Sequence, residues 1–250
     1  MIQLHAEVLL VAAMFGLYLY DSVQLLHSNE GVLAATLWGR WSLHFGAEHY
    51  TLRGKEPFLP NPLLPHRPIF SLRWKQQIPA GKPAAKGSSQ RWTPPPFGPY
   101  KVLAPLIWLM AMALFGLIPA GLFTRYGNVL IAAGILAFYA AAMLAFVFIW
   151  FKRSVLQLTS RQVAALAFES LTCPPFALNL IRHISLKKRP TEDLITTSRH
   201  LLRQDDWTYT LPAVIKRIDN AISYEDENTP RAQALTEYQA SLNRELSSLA

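Results

Sequence analysis

The sequence predicts a membrane α-helical protein: three transmembrane helices with the N-terminus outside and the C-terminus inside, a small β-containing cytoplasmic loop domain, and a cytoplasmic α-helical C-terminal region. Three observations predict it. Of 250 residues, 51% are hydrophobic and only 16% charged, whereas an ordinary soluble domain carries about 25% charged residues. No Asp, Glu, Lys or Arg interrupts the chain between Lys101 and Arg125, or between Arg125 and Lys152. The basic residues gather in two segments outside those stretches, and this sets a direction across the bilayer.

A bilayer core about 30 Å thick needs roughly 20 mostly apolar helical residues, because lipid offers the backbone no hydrogen-bond partners. Residues 102–123 and 129–151 meet this requirement. Residues 4–26 form a third, weaker span, whose uninterrupted apolar core runs from Val8 to Tyr20 between Glu7 and Asp21. Those two acids are 14 positions apart, about 21 Å along a helix, which puts one near each interface rather than in a proton path. Met1 to Glu7 carries no Lys or Arg, so the segment reads as a retained anchor and not as a cleaved signal peptide.

Orientation follows from charge. Residues 27–101 hold ten Lys plus Arg against three acids, residues 152–250 hold thirteen against eleven, and the short link 124–128 holds only Arg125. Loops rich in Lys and Arg stay cytoplasmic, and Lys101, Lys152 and Arg153 sit at the ends of spans. Three crossings keep both basic segments on one side. The link forces residues 102–123 and 129–151 into a helical hairpin, and Pro119 predicts a kink or helix end near Leu117. Small residues recur at helical spacing, Ala133, Ala137, Ala141 and Ala145 in the third helix, Gly116 and Ala120 in the second, Ala12 and Gly16 in the first, which marks either a contact face or only the composition of Ala-rich helices.

Residues 27–78 read as a small β subdomain. Trp41, Leu43 and Phe45 alternate with polar residues, Gly46 to Glu48 offer a turn, and Tyr50 and Leu52 alternate again, which predicts a hairpin of 41–45 with 49–53. Phe70, Leu72 and Trp74 supply a third strand. Pro57 to Pro68 contains five Pro in twelve residues, which excludes helix and central strand. It is either an extended docking motif for an aromatic groove or a stiff connection packed across its own domain, and the second is the ordinary case. Residues 79–101 read as a flexible basic linker whose Lys82, Lys86, Arg91 and Lys101 approach the anionic cytoplasmic leaflet.

Residues 152–250 read as helices. Thr159 or Ser160 caps a helix to about Leu171, Cys173 and the following Pro residues interrupt it, and Phe176 to Ile184 resumes. Residues 163–181 are apolar but contain Glu169, Asn179 and two Pro; a fourth crossing would export Lys187, Lys188 and Arg189, so the segment is placed against the membrane rather than through it. Thr191 opens a further helix, residues 211–222 another, and Glu225 to Glu227 a turn. Thr229 and Pro230 start the last helix, whose Leu235, Tyr238, Leu242, Leu246 and Leu249 form a seam for a partner helix, within this chain in the safer reading.

No residues stand out as catalytic, cofactor-binding or metal-binding. His44 and His49 flank the expected turn but lack a third ligand. Cys173 is the single Cys, which excludes an intramolecular disulfide framework, and a lone Cys is ordinarily a small buried hydrophobe. No P-loop, Rossmann or nucleophile-elbow pattern occurs, nor any nucleic-acid-binding motif. The layout resembles that of bacterial inner-membrane proteins. The expectation is therefore a multi-pass protein without its own catalysis, serving as an interaction platform or assembly subunit for a protein partner or a second copy. A transporter or channel accessory is the alternative, disfavoured by the uncharged span centres. A lipid-surface enzyme using Glu169, Cys173 and His183 is a further one.

Overall fold

The computed structural model describes residues 6–36, 39–74, 98–188, 193–225 and 229–249. The bulk of the expected basic linker, including Lys82, Lys86 and Arg91, lies outside the described residues, as do Thr191 and most of the expected acidic turn. The chain is mostly helical, with a small sheet region and two helical stretches long and apolar enough to cross a membrane. It divides into two compact units.

The first unit comprises residues 1–24, 59–69 and 97–188. Helix α1 spans Ala6–Ser22. It ends there, short of 26, because the Ser22 hydroxyl donates back to the Tyr18 carbonyl and the chain turns extended at Gln24. The apolar stretch Leu103–Phe123 consists of α2 (Leu103–Met112), a π-helical segment Ala113–Leu117, and α3 (Ile118–Phe123). Pro119 has no N–H to give to the preceding turn, and the wider π winding directly before it takes up the mismatch. After the break at 124–126, α4 runs from Gly127 to Phe151.

The expected small-residue contacts are corrected in their register. The face that α4 buries is Gly134, Phe138, Ala141, Ala145 and Ile149, stepping by three and four, with Ala142 and Phe146 beside it. A strict step of four, as in Ala133 to Ala145, drifts about 40° per step around a helix of 3.6 residues per turn, so Ala133 leaves the contact face. Gly16 and Gly116 face open space, whereas Gly121 and Gly134 sit at the close approach. A Cβ on Gly121 would lie 2.6 Å from Ile131 Cγ1 and 2.9 Å from the Gly127 carbonyl. Gly121→Ala is therefore expected to spread the hairpin and cost about 1–3 kcal/mol, measured as a lower melting temperature in detergent, while Gly116→Ala leaves it unchanged.

Beyond α4 come α5 (Ser160–Thr172), α6 (Pro174–Ala177) and α7 (Leu180–Lys187). Thr159 caps α5 in a reciprocal capping box with Gln162.

The second unit comprises residues 25–58, 70–96 and 189–250. Its sheet has strand order β3-β2-β5, with β2 (Glu30–Ala35) central, β3 (Trp41–His44) antiparallel to it and β5 (Ile69–Arg73) on the other side. Leu33 pairs with Leu43 and Ala35 with Trp41. The expected hairpin of 41–45 with 49–53 does not form, because β3 takes its hydrogen bonds from the preceding strand. Residues 49–53 instead enter a tight turn where Arg53 and Gly54 have φ of 53° and 74°, and Leu52 and Lys55 exchange backbone hydrogen bonds. Strand β1 (Gln24–Leu26) pairs with β4 (Glu56–Phe58). Gly31 lets β2 approach Leu194, whose Cδ2 would lie 2.9 Å from an added Cβ.

Helices α8 (Leu194–Leu201), α9 (Gln204–Ser223) and α10 (Pro230–Leu249) complete the unit. Asp193 caps α8 through the Thr196 N–H. Leu211, Val214 and Ile218 of α9 and Leu235 and Leu242 of α10 are buried, and the two helices are joined by Trp207 Nε1 to Glu245 at 3.0 Å and Gln239 to Asp219 at 2.9 Å. The seam of the last helix is thus largely used within the chain.

Candidate functional site

The densest polar arrangement in the first unit lies where the end of α1, the Pro-rich segment and the start of α7 meet. An apolar helix that ends in Asp21 and Ser22 must find partners for them, and the N-cap and first turn of α7 bring Asn179, Arg182 and His183, at i, i+3 and i+4, onto one face. The Asn179 side-chain amide donates to Asp21 Oδ2 and Ser22 Oγ, each at 2.9 Å. His183 Nε2 lies 2.9 Å from Asp21 Oδ2. Arg182 is 2% exposed, and its fork reaches in two directions: Nη1 to Asn179 Oδ1 at 2.8 Å, and Nη2 to the carbonyls of Asn61 at 2.6 Å and Leu64 at 3.1 Å. The Tyr18 hydroxyl donates to the Pro62 carbonyl, and Ser185 Oγ accepts the Ile69 N–H at 3.1 Å.

Three segments far apart in sequence are therefore held by one buried guanidinium and its neighbours. Burial draws the Arg182 pKa below its ordinary value, with Tyr18 and the nearby Asp21 carboxylate opposing the shift. The Pro-rich segment is packed across its own unit, with its carbonyls engaged rather than offered as an extended docking motif.

Of the three residues considered for lipid-surface chemistry, His183 joins this cluster, and Cys173 lies close enough to Asp21 to feel its charge, whereas Glu169 is exposed on α5. Burial pushes the Cys173 thiol up, and Asp21 adds to this against the Phe176 backbone hydrogen bond. A nucleophilic Cys needs the opposite shift. The arrangement can fix chain geometry and hold the His183 ring against Asp21. The sequence signal for it was present in Asp21 and His183, but nothing in spacing alone linked them to Arg182.

A second polar site lies within the second unit. Arg217 of α9, 5% exposed, places Nη2 2.7 Å from both Glu56 Oε2 and the Gly46 carbonyl, Nη1 3.3 Å from the Ser28 carbonyl, and its guanidinium 4.7 Å over the Phe45 ring. Glu48 is bonded by Lys216 at 2.6 Å, and that bond holds its carboxyl below the ordinary Glu value. A polar cavity of about 210 Å³ borders this ion pair, lined by Thr51, Asn220 and Tyr224 among others. His44 shares a hydrogen bond with Ser42 Oγ at 2.8 Å and stacks on Phe58. Among the described residues no three His, Cys, Asp or Glu side chains converge in a way that would hold a metal.

Tyr100, 1% exposed, carries a hydroxyl without a hydrogen-bond partner among the described residues, and burial pushes its pKa up to about 12. The folded state therefore holds this proton more tightly than the unfolded chain, so the Tyr100 contribution is intact below pH of about 10 and is lost as pH rises toward 12. Tyr100→Phe is expected to raise stability at neutral pH by about 1 kcal/mol and to flatten that alkaline loss, read from melting temperatures across the pH range.

Comparison with protein-family models, with curated proteins and with solved structures finds no match for this chain. Its function is therefore argued from its own residues.

Proposed function

We propose that the chain is an integral membrane protein of three spans, N-terminus outside and C-terminus cytoplasmic, that anchors an interaction platform or assembly subunit in a bacterial inner membrane without chemistry of its own. The membrane part is carried by the exposure of its apolar helices. Only 28% of the most apolar window of Leu103–Phe123 and 33% of that of Gly127–Phe151 is buried, whereas a soluble core helix buries most of its surface. Met112, Val129, Leu136 and Phe151 are 66–77% exposed, a surface that water does not tolerate at this extent. Helix α1 supports a third span: Leu9, Leu10, Phe15 and Leu17 are exposed, and its 17 residues reach about 25 Å, with Asp21 anchored by the polar cluster at one end.

The platform part is supported by the second unit. Tyr50, Leu52 and Tyr224 are 73%, 59% and 90% exposed, and Tyr224 borders the polar cavity. Exposed Tyr beside apolar and charged groups is the composition of protein interfaces. This surface replaces the α10 seam, which α9 occupies, as the ground for a protein partner or second copy. The anionic cytoplasmic leaflet is the expected lipid contact of Lys101, Lys152 and Arg153. A photo-crosslinking amino acid placed at Tyr50 or Tyr224 in cells should give one discrete adduct, lost when it is moved to α10 position Ser247. Absence of any adduct at both positions would contradict the platform.

A further inference from the structure

We propose that the first unit holds a binding site for one acyl chain of a membrane phospholipid. The proposal rests on the membrane reading above. A groove of about 380 Å³ is lined by Phe15 and Tyr18 of α1, Trp108 and Met112 of α2, and Phe115 and Gly116 of the π segment. Pro62, Leu63 and Pro65 of the Pro-rich segment line its remaining side. Its size falls within the roughly 300–1,000 Å³ of small-molecule sites, and its walls are apolar. The one hydroxyl, that of Tyr18, is spent on the Pro62 carbonyl.

The occupant follows from where the walls stand. Trp108, Met112, Phe115 and Gly116 belong to a stretch long and apolar enough to span the membrane, so the groove opens toward hydrocarbon. Water does not fill an apolar concavity there. A lipid chain in the concavity touches protein on several sides, and each added contact contributes dispersion energy that a flat helix surface cannot supply. A packed helix is a poor fit, because the Pro-rich segment, held by Arg182 through the Asn61 and Leu64 carbonyls, lines one side of the groove and narrows it against a rod about 10 Å across. A thin chain ends where that segment begins. Gly116, at which an added Cβ meets nothing within 4 Å, leaves the groove open at its centre.

The test uses the full-length protein in vesicles of phosphatidylethanolamine and phosphatidylglycerol that carry a photoactivatable acyl chain, with adducts mapped by mass spectrometry. Labelling at Met112 is expected to exceed that at Leu136 of α4, an apolar reference of similar exposure, by several-fold, with further adducts at Phe115. Gly116→Phe, or Ala111→Phe should the first variant misfold, is expected to abolish the excess and leave Leu136 unchanged. Equal labelling at groove and reference, an excess that survives both variants, or a Met112→Cys cross-link between copies in place of lipid adducts would overturn the proposal. Absence of label at all positions, with the protein in the aqueous fraction, would overturn it together with the membrane reading, and is distinguished by the silent reference.

Discussion

Arg182→Met is expected to destabilise the first unit by about 3–5 kcal/mol, the cost of removing one member of a buried charged network. The substitution removes the guanidinium donors to the Asn61 and Leu64 carbonyls and to Asn179 Oδ1, which keep only their weaker contacts from the Leu64 and Arg67 amides and Ser22 Oγ, and it strips the positive charge from beside Asp21. Arg182→Lys should recover only part of the loss. It keeps the charge, but a single ammonium cannot reach both Asn179 and the two carbonyls in the way the planar fork does. Hydrogen exchange of backbone amides reads the effect locally: Leu64 and Arg67, whose amides donate to the Asn61 and Leu64 carbonyls, should lose protection. Unchanged protection at Leu64 in Arg182→Met would remove the cluster from the account.

Arg217→Met is the counterpart in the second unit, with an expected loss of about 3–5 kcal/mol because Glu56 is left charged and buried. The double variant Arg217→Met with Glu56→Leu should be markedly more stable than Arg217→Met alone, since it no longer strands a carboxylate. The two single effects are expected to be strongly non-additive, as contacting partners are. Additive losses, measured by denaturant unfolding of the pair and each single variant, would show that the 2.7 Å contact of Arg217 with Glu56 carries no coupling.

The parts of this chain that the sequence revealed are those where one residue class dominates a long window. The uncharged stretches on either side of Arg125 needed only a count, and Thr159 or Ser160 marked the start of α5 as capping residues, of which the structure uses Thr159. Strand β2 has no strand signature in the sequence because Val32, Leu33 and Ala35 are all buried; a central strand covered on both faces loses the alternation that marks β3. The hairpin was misplaced for a related reason. Gly46 suggested a turn, but its missing side chain serves the close approach of Glu56, whose Cβ would lie 2.4 Å from an added Cβ.

The polar cluster was only half legible. Asp21 and His183 each stood out as ionisable groups beside apolar stretches, yet their pairing depends on α6 and α7 folding back to α1, a tertiary fact with no local signature. The Pro-rich segment is readable as non-helical, and its packed state follows from carbonyls whose remaining acceptor capacity Arg182 and Tyr18 take up. Arg182 itself looked like one more basic residue in a basic tail. Its role lies in being buried, which composition does not report.

The most direct test of the central claim is a topology map with a reporter active only in the cytoplasm, fused after residue 90, within the link at residue 126, and after residue 250. Three spans with the N-terminus outside predict signal at 90 and 250 and silence at 126. Silence at 90 or at 250, or signal at all three, would contradict it.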